Sequence, residues 1–266
     1  MSAPTPPAVA GAAVLPDDVV AGLDALLCDA DGNLFPSEEP AFVASADVTN
    51  RFLASLGSAQ RFTAEELRLA TTGMNFRTTS RRLAVEAGVP DADIEPWVVE
   101  EKRAVTAYLG EVLRPHEETT AAVTELARYL RPAVVSSSAL TRLDACFRAT
   151  GLDGVLPPEA RYSAEDSLPV PTSKPDPAVY LHACERLGIA PAAGLAVEDS
   201  VAGTLSAVRA GCPTVGNLLF VQPQERAERE AALREAGALT VVGSWRELAD
   251  LLLPVLTRRD TTGGTR

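Results

Sequence analysis

Hydrophobic density changes along the chain in a regular way. The run LDALLCD, residues 23–29, is apolar almost throughout, as expected of a strand buried on both faces of a parallel sheet. From about residue 40 to 113, apolar positions recur at helical spacing in AFVASADVTNRFLASLG, AEELRLATTG, TTSRRLAVEAG and the stretch around IEPWVVEEKRAVTAYLGEVL. Glycines and prolines separate these runs and little in them resembles a strand, which predicts an all-helical insertion. Strand and helix patterns then alternate. HEETTAAVTELARYL is an amphipathic helix, PAVVSSS a short strand ending in hydroxyls, and LTRLDACFRATG a helix closed by Gly151. DGVLP reads as a short strand and residues 157–173 as an irregular loop. DPAVYLHACERLG is a helix with Asp176 as its expected cap and Pro177 in its first turn. AAGLAVED and CPTVGN read as strands flanking the helix SVAGTLSAVRAG. A helix around 225–237, a TVV strand and the helix SWRELADLLLPVL complete the series.

Strands separated by helices of this length imply a mostly parallel sheet with helices on both faces. The predicted division is an α/β core formed by residues 18–41 and 113–258, a helical domain at 42–112, and flexible termini at 1–17 and 259–266. No internal repeat is present.

Charge narrows the function. The 266 residues carry a net charge of −12, which disfavours nonspecific binding to nucleic acid or to an anionic membrane. An anionic small substrate stays open, because a bound metal reverses the potential locally. No apolar stretch is long enough to cross a membrane, and the N-terminus lacks a secretory pattern, so the expected compartment is the cytoplasm. Cys28, Cys146, Cys184 and Cys212 are scattered in apolar contexts and are expected to be buried free thiols. With two histidines, His116 and His182, a multi-histidine metal site is excluded. The oligomeric state stays open; a monomer is compatible with the sequence.

In a doubly wound sheet, sites form beyond the carboxyl ends of the strands. Asp29 and Asp31 follow the first strand, Ser136 ends the second, and Glu198 with Asp199 ends GLAV. Lys174 sits in TSKPDP, between a loop and a helix start. Each has an ordinary structural reading: an Asx turn, a helix cap, a surface lysine, acids at a helix N-terminus. Ser138 is expected to cap the helix at Leu140, leaving Ser136 for substrate. Taken together, clustered carboxylates need a cation, and their hard oxygens suit Mg²⁺. A carboxylate beside phosphorus can act as a nucleophile and a second one as acid and base, with Ser136 and Lys174 holding phosphate oxygens. In the helical insertion Arg77, Arg81 and Arg82 are available, and Arg77 is the best placed for a substrate's anionic or hydroxylated part, with a solvated helix face as the alternative.

The segments LLCDADGNLFPSEEPAF, VVSSSAL, TSKPDPAVYLHACERLGI and GLAVEDSVAGTLSAVRAGC, in this order, resemble the haloacid dehalogenase-like hydrolase superfamily. The resemblance is greatest to the branch of beta-phosphoglucomutase-like enzymes and small sugar-phosphate phosphatases. It implies a Rossmann-like core with a helical cap inserted after the first strand. It also implies Asp29 as nucleophile, Asp31 as general acid and base, and Ser136 and Lys174 on the phosphoryl group. Mg²⁺ would be held by Asp29, the main-chain carbonyl of Asp31 and Asp199, with Glu198 nearby. Asn33 stands where threonine or valine is common, and Pro36-Ser37-Glu38 replaces a frequent Asp-Ser-Glu. The second aspartate argues against dehalogenase chemistry, and EEPAFVA lacks the linker histidine of mutase-like members. The expected activity is Mg²⁺-dependent hydrolysis of a small phosphorylated metabolite. A phosphosugar mutase and a noncatalytic partner-binding protein are the alternatives.

Overall fold

The computed structural model describes residues 13–71 and 74–262. A short helix, α1 (Asp17–Ala21), leads into the central strand β1 (Ala25–Cys28). Four helices follow without an intervening strand: α2 (Glu38–Ser55), α3 (Ala64–Ala70), α4 (Phe76–Glu86) and α5 (Glu95–Val112). After α6 (Glu117–Leu126) come β2 (Arg131–Ser136), α7 (Leu140–Thr150), β3 (Arg161–Ser163) and α8 (Ala178–Leu187). The chain continues through β4 (Gly194–Glu198), α9 (Val201–Ala210), β5 (Thr214–Asn217), α10 (Arg226–Glu235), β6 (Thr240–Val242) and α11 (Trp245–Thr262). This is a Rossmann-like α/β fold with an inserted helical cap.

All strand pairs are parallel, in the order β3-β2-β1-β4-β5-β6. The chain moves outward from β1 in one direction through β2 and β3, then returns to β1's other side for β4. The crevice at β1 and β4 is therefore the topological switch point where such sheets form sites. Strand pleating separates two cores. Leu26 and Cys28 face α6, α7 and α11, in the cluster that includes Val123, Phe147 and the fully buried Trp245. Ala25 and Leu27 face Val179, Tyr180 and Ala183 of α8 and Ala207 of α9. The side with bulkier packing and the side with many alanines thus follow from the period of 2 in a strand. Phe52, Leu53, Leu83, Ala84 and Ile94 form a separate small core within the cap, with Trp97 edge-on to Phe52.

Several local expectations change. The segment read as an irregular loop at 157–173 contains β3, whose three residues are too short to show a period, while DGVLP begins inside a 3₁₀ turn (Leu152–Gly154) and forms no strand. Part of the N-terminal segment read as flexible is ordered at its end, since α1 begins at Asp17; residues 1–12 lie outside the described residues. Likewise α11 continues past residue 259 to Thr262, and 263–266 lie outside the described residues. The α8 helix begins at Ala178 with Pro177 as its N-cap, although Asp176 Oδ1 still accepts from Ala178 N–H at 2.9 Å. All four cysteines are buried free thiols. Among the described residues no helix is long and apolar enough to cross a membrane.

Candidate active site

Register brings the acids together. Cys28 lies beside both Val134 and Val197, so the residues just beyond them leave the sheet side by side: Asp29, Val135–Ser136, and Glu198–Asp199. Asn33 anchors this point from below. Its Nδ2 donates to the carbonyls of Asp29 (2.9 Å) and Val197 (3.0 Å), and its Oδ1 accepts from Asn217 Nδ2 at 2.8 Å. Trp245 Nε1 adds a bond to Asn33 O at 2.9 Å. The asparagine that looked like a mild substitution is a fully buried staple for the loop that carries Asp29 and Asp31. Gly32, at φ 77°, makes the turn; a Cβ there would lie 2.4 Å from Asp199 Oδ2.

Lys174 organises the carboxylates. Its Nζ donates to Asp29 Oδ1 at 2.5 Å, Glu198 Oε1 at 2.6 Å and Val135 O at 2.8 Å. An ammonium has three protons, and all three are taken by the protein. Contact with a phosphate oxygen therefore requires Lys174 to exchange one of these bonds. Tyr180 OH donates to the same Glu198 Oε1 at 2.5 Å, while Glu198 Oε2 is buried with no hydrogen-bond partner. Burial raises the carboxyls of Asp29 and Glu198, and Lys174 pulls both downward. Asp199 is pushed up to about 7 by burial and by Glu198, with Arg229 and Lys174 acting in the other direction.

Asp31 has a different environment. Its Oδ1 accepts from Ser37 Oγ (2.5 Å) and Arg142 Nη2 (3.0 Å), and its Oδ2 from Ser138 Oγ (2.7 Å). Burial alone would raise this carboxyl, but Arg142 with the Ser37 and Ser138 hydroxyls outweighs it, and the net shift is downward. Ser138 is thus not the cap of α7; Ala139 is the N-cap, and Asp166 Oδ2 accepts the Leu140 N–H at 2.6 Å. Ser136 Oγ accepts from Ser138 N–H at 3.0 Å, a bond that leaves its own proton to donate elsewhere.

Asp29, Asp31, Ser136, Lys174 and Asp199 all line one cavity of about 1520 Å³ between the sheet edge and the cap helices. Arg77 also lines it, but its guanidinium is paired with Glu95. Three carboxylates, Asp29, Glu198 and Asp199, place ligand atoms within 4.8 Å of one another. One lysine does not neutralise them, and the unpartnered Glu198 Oε2 is the kind of buried acceptor that an ion satisfies. Hard oxygens with excess negative charge fit a divalent cation such as Mg²⁺.

The haloacid dehalogenase-like hydrolase model matches residues 23–211. The chain belongs to that family. It is 32% identical over 200 residues to protein CbbY of Rhodobacter capsulatus, covering 73% of this chain and 84% of the relative. Two solved structures align at 25% identity: a conserved haloacid dehalogenase-like protein from Agrobacterium tumefaciens (TM-score 0.67, 87% of this chain and 98% of that one), and a HAD family hydrolase from Deinococcus radiodurans R1 with bound phosphate and sodium (TM-score 0.65, 88% and 97%).

Within this haloacid dehalogenase-like site, three groups were missed from sequence: Arg142, Tyr180 and Gly203. Arg142 lies in the first turn of α7, four residues after Ser138, and Tyr180 in the first turn of α8, so helix starts beside the motifs were the available signal. Gly203, in α9, gives Glu198 its space: a Cβ there would lie 1.8 Å from Glu198 Oε2. In an ordinary helix Ala would be favoured over Gly by about 1 kcal/mol. Here Gly203→Ala is expected to destabilise by about 1–3 kcal/mol, the usual cost of overpacking, and to weaken divalent-cation binding. Urea unfolding and Mg²⁺ titration check this; a variant as stable as the parent with unchanged affinity contradicts it.

The raised Asp199 carboxyl gives a pH dependence. A carboxyl whose folded-state value exceeds its unfolded value binds protons more tightly when folded. The metal-free protein therefore loses this contribution as pH climbs from about 4, the unfolded value, through about 7, the folded one. A divalent cation must displace that proton below pH 7 and need not above it. Saturating Mg²⁺ is expected to raise Tm more at pH 8 than at pH 6; an equal or reversed increment in thermal melts contradicts the assignment.

Proposed function

We propose that this protein is a Mg²⁺-dependent phosphomonoester hydrolase acting on a small phosphorylated metabolite, in the branch of beta-phosphoglucomutase-like enzymes and sugar-phosphate phosphatases. The observation that carries the reading is the pairing of Asp29 with Lys174 at the switch-point strand end, beside Glu198 and Asp199 and two residues from Asp31. The Deinococcus relative's bound phosphate supports the same choice of ligand.

Asp29 attacks the phosphorus through a carboxylate oxygen, and the bond to the ester oxygen breaks. Asp31 delivers a proton to the departing alkoxide, so the alcohol leaves and an aspartyl-phosphate remains. Asp31 then takes a proton from water as the water attacks phosphorus, which frees Asp29 and releases inorganic phosphate. The observed contacts with Arg142, Ser37 and Ser138 suit the ionised Asp31 that this second step needs. Proton delivery in the first step requires the carboxyl to turn out of that set. Ser136 Oγ–H and Lys174 hold the nonbridging oxygens, and Lys174 also fixes the Asp29 carboxylate. Asp29, the Asp31 main-chain carbonyl and Asp199, with Glu198 beside them, would hold Mg²⁺, which would supply the positive charge that lets an anionic nucleophile meet an anionic ester. The cap excludes bulk water, hinging near residues 35–42 and 110–115.

Phosphate release from a panel of sugar, nucleotide and small-acid phosphates, with and without Mg²⁺, tests the proposal. Mg²⁺-dependent release of inorganic phosphate supports it. An isomerised phosphosugar without net phosphate release would assign a mutase instead, and no reaction with any ester would leave a noncatalytic protein.

A further inference from the structure

Above the proposed catalytic group Asp31, the cavity wall is made by the cap. Its charges are not equivalent. Arg77 is paired with Glu95, Lys102 with Glu165, and Arg103 with Glu100. On the core side, Arg142 is held by Asp31, and Arg229 donates to Asp199 O at 2.9 Å. Each of these cations lining the cavity already has a protein acceptor. Two acids of the lining differ: Glu38 at the start of α2, on the side of Asp199, and Glu101 of α5 make no ion pair among the described residues. Glu101 is half-buried, beside the Ser45 hydroxyl, with Arg142 across the seam between cap and core.

A second observation concerns neutral groups on the same wall. Thr49 sits one helical turn after Ser45 on α2, lines the cavity and is 1% exposed, yet its hydroxyl has no hydrogen-bond partner. A buried hydroxyl without a partner in a ligand cavity is a group waiting for one. Glu101 can only accept hydrogen bonds when ionised, whereas Thr49 and Ser45 can donate or accept. Such a wall matches alcohol groups. It opposes a carboxylate or second phosphate, which would face the Glu101 acid; Arg142, the cation nearest the seam, already shares its charge with Asp31, and its one unpartnered donor, Nε, is buried.

We propose that Glu101 is the specificity-determining residue of the leaving-group pocket, selecting an uncharged, hydroxylated leaving group and rejecting one that bears a second anion, with Thr49 as a hydroxyl partner. This rests on the phosphomonoesterase reading above, and it assigns to Glu101 the selection that the sequence suggested for Arg77.

Glycerol phosphate and phosphoglycerate are suitable probes, since a hydroxymethyl group in one is a carboxylate in the other. The parent protein is expected to favour glycerol phosphate in kcat/KM by at least about tenfold, a modest share of the cost of like charges placed together. Glu101→Gln is expected to reduce that ratio about tenfold or more, chiefly by improving phosphoglycerate turnover. Glu101→Asp should keep the preference, and Thr49→Val should raise KM for glycerol phosphate with little change in kcat. A merely structural role would move both substrates together and leave the ratio unchanged. A parent preference for phosphoglycerate, or an unchanged ratio in Glu101→Gln, overturns the inference while leaving the phosphatase reading intact. Failure of the parent to release phosphate from any ester, p-nitrophenyl phosphate included, overturns both.

Discussion

Replacing Asp29 with asparagine is expected to lower phosphate release by about 10⁴-fold or more, the scale reached when a covalent nucleophile is removed. The substitution is nearly isosteric, and an amide oxygen cannot form the acyl phosphate at a useful rate. Its effect on stability should run the other way. Asp29, Glu198 and Asp199 crowd one lysine, and the other two acids push the Asp29 carboxyl upward. Removing one of three like charges relieves repulsion, so the metal-free variant is expected to melt at the parent temperature or above it. Steady-state assays and thermal melts on the same preparation check both halves. Substantial retained turnover with Mg²⁺ contradicts the nucleophile assignment. A large fall in Tm contradicts the charge argument.

Lys174→Met is expected to have the largest effect on stability, about 3–5 kcal/mol, as when one partner of a buried ion pair is lost. The lysine side chain is 5% exposed and bonds two buried carboxylates, Asp29 at 10% and Glu198 at 0% exposure. Methionine fills the volume but leaves Asp29 Oδ1 without its counter-charge and Glu198 Oε1 with Tyr180 alone. Mg²⁺ should recover part of the loss by binding the folded state. Urea unfolding with and without Mg²⁺ measures this. A loss below about 1 kcal/mol would mean the ion pair is close to balanced by its desolvation cost.

The contrast between these two variants reflects how the site was encoded. Asp29, Asp31, Ser136, Glu198 and Asp199 were legible because each ends a strand pattern, and a parallel sheet brings strand ends together. Lys174 was legible only through its companions. Its three hydrogen bonds were not, because they join residues far apart in sequence. The same reason hid Asn33: its partners, Val197, Asn217 and Trp245, lie on three other elements. Ser138 looked like a helix cap because local sequence favours that reading, but Asp31 offered the hydroxyl a charged acceptor and Asp166 took over the helix N–H. β3 was missed because three residues carry no period. Arg77 stood out as a basic residue in the cap, yet a nearby acid on α5 engages it; Glu101 attracted no notice because its placement depends on how α5 crosses the core.

Acid-quenched protein from a reaction with an accepted phosphate ester and Mg²⁺, digested and analysed by mass spectrometry, tests the central claim most directly. The account predicts a phosphoryl group on the peptide containing Asp29, accumulating further in Asp31→Asn when the ester is p-nitrophenyl phosphate, whose leaving group departs without a proton while the water step lacks its base, and absent from Asp29→Asn. Steady turnover with no phosphorylated peptide, or a phosphoryl group carried on another residue, would contradict it.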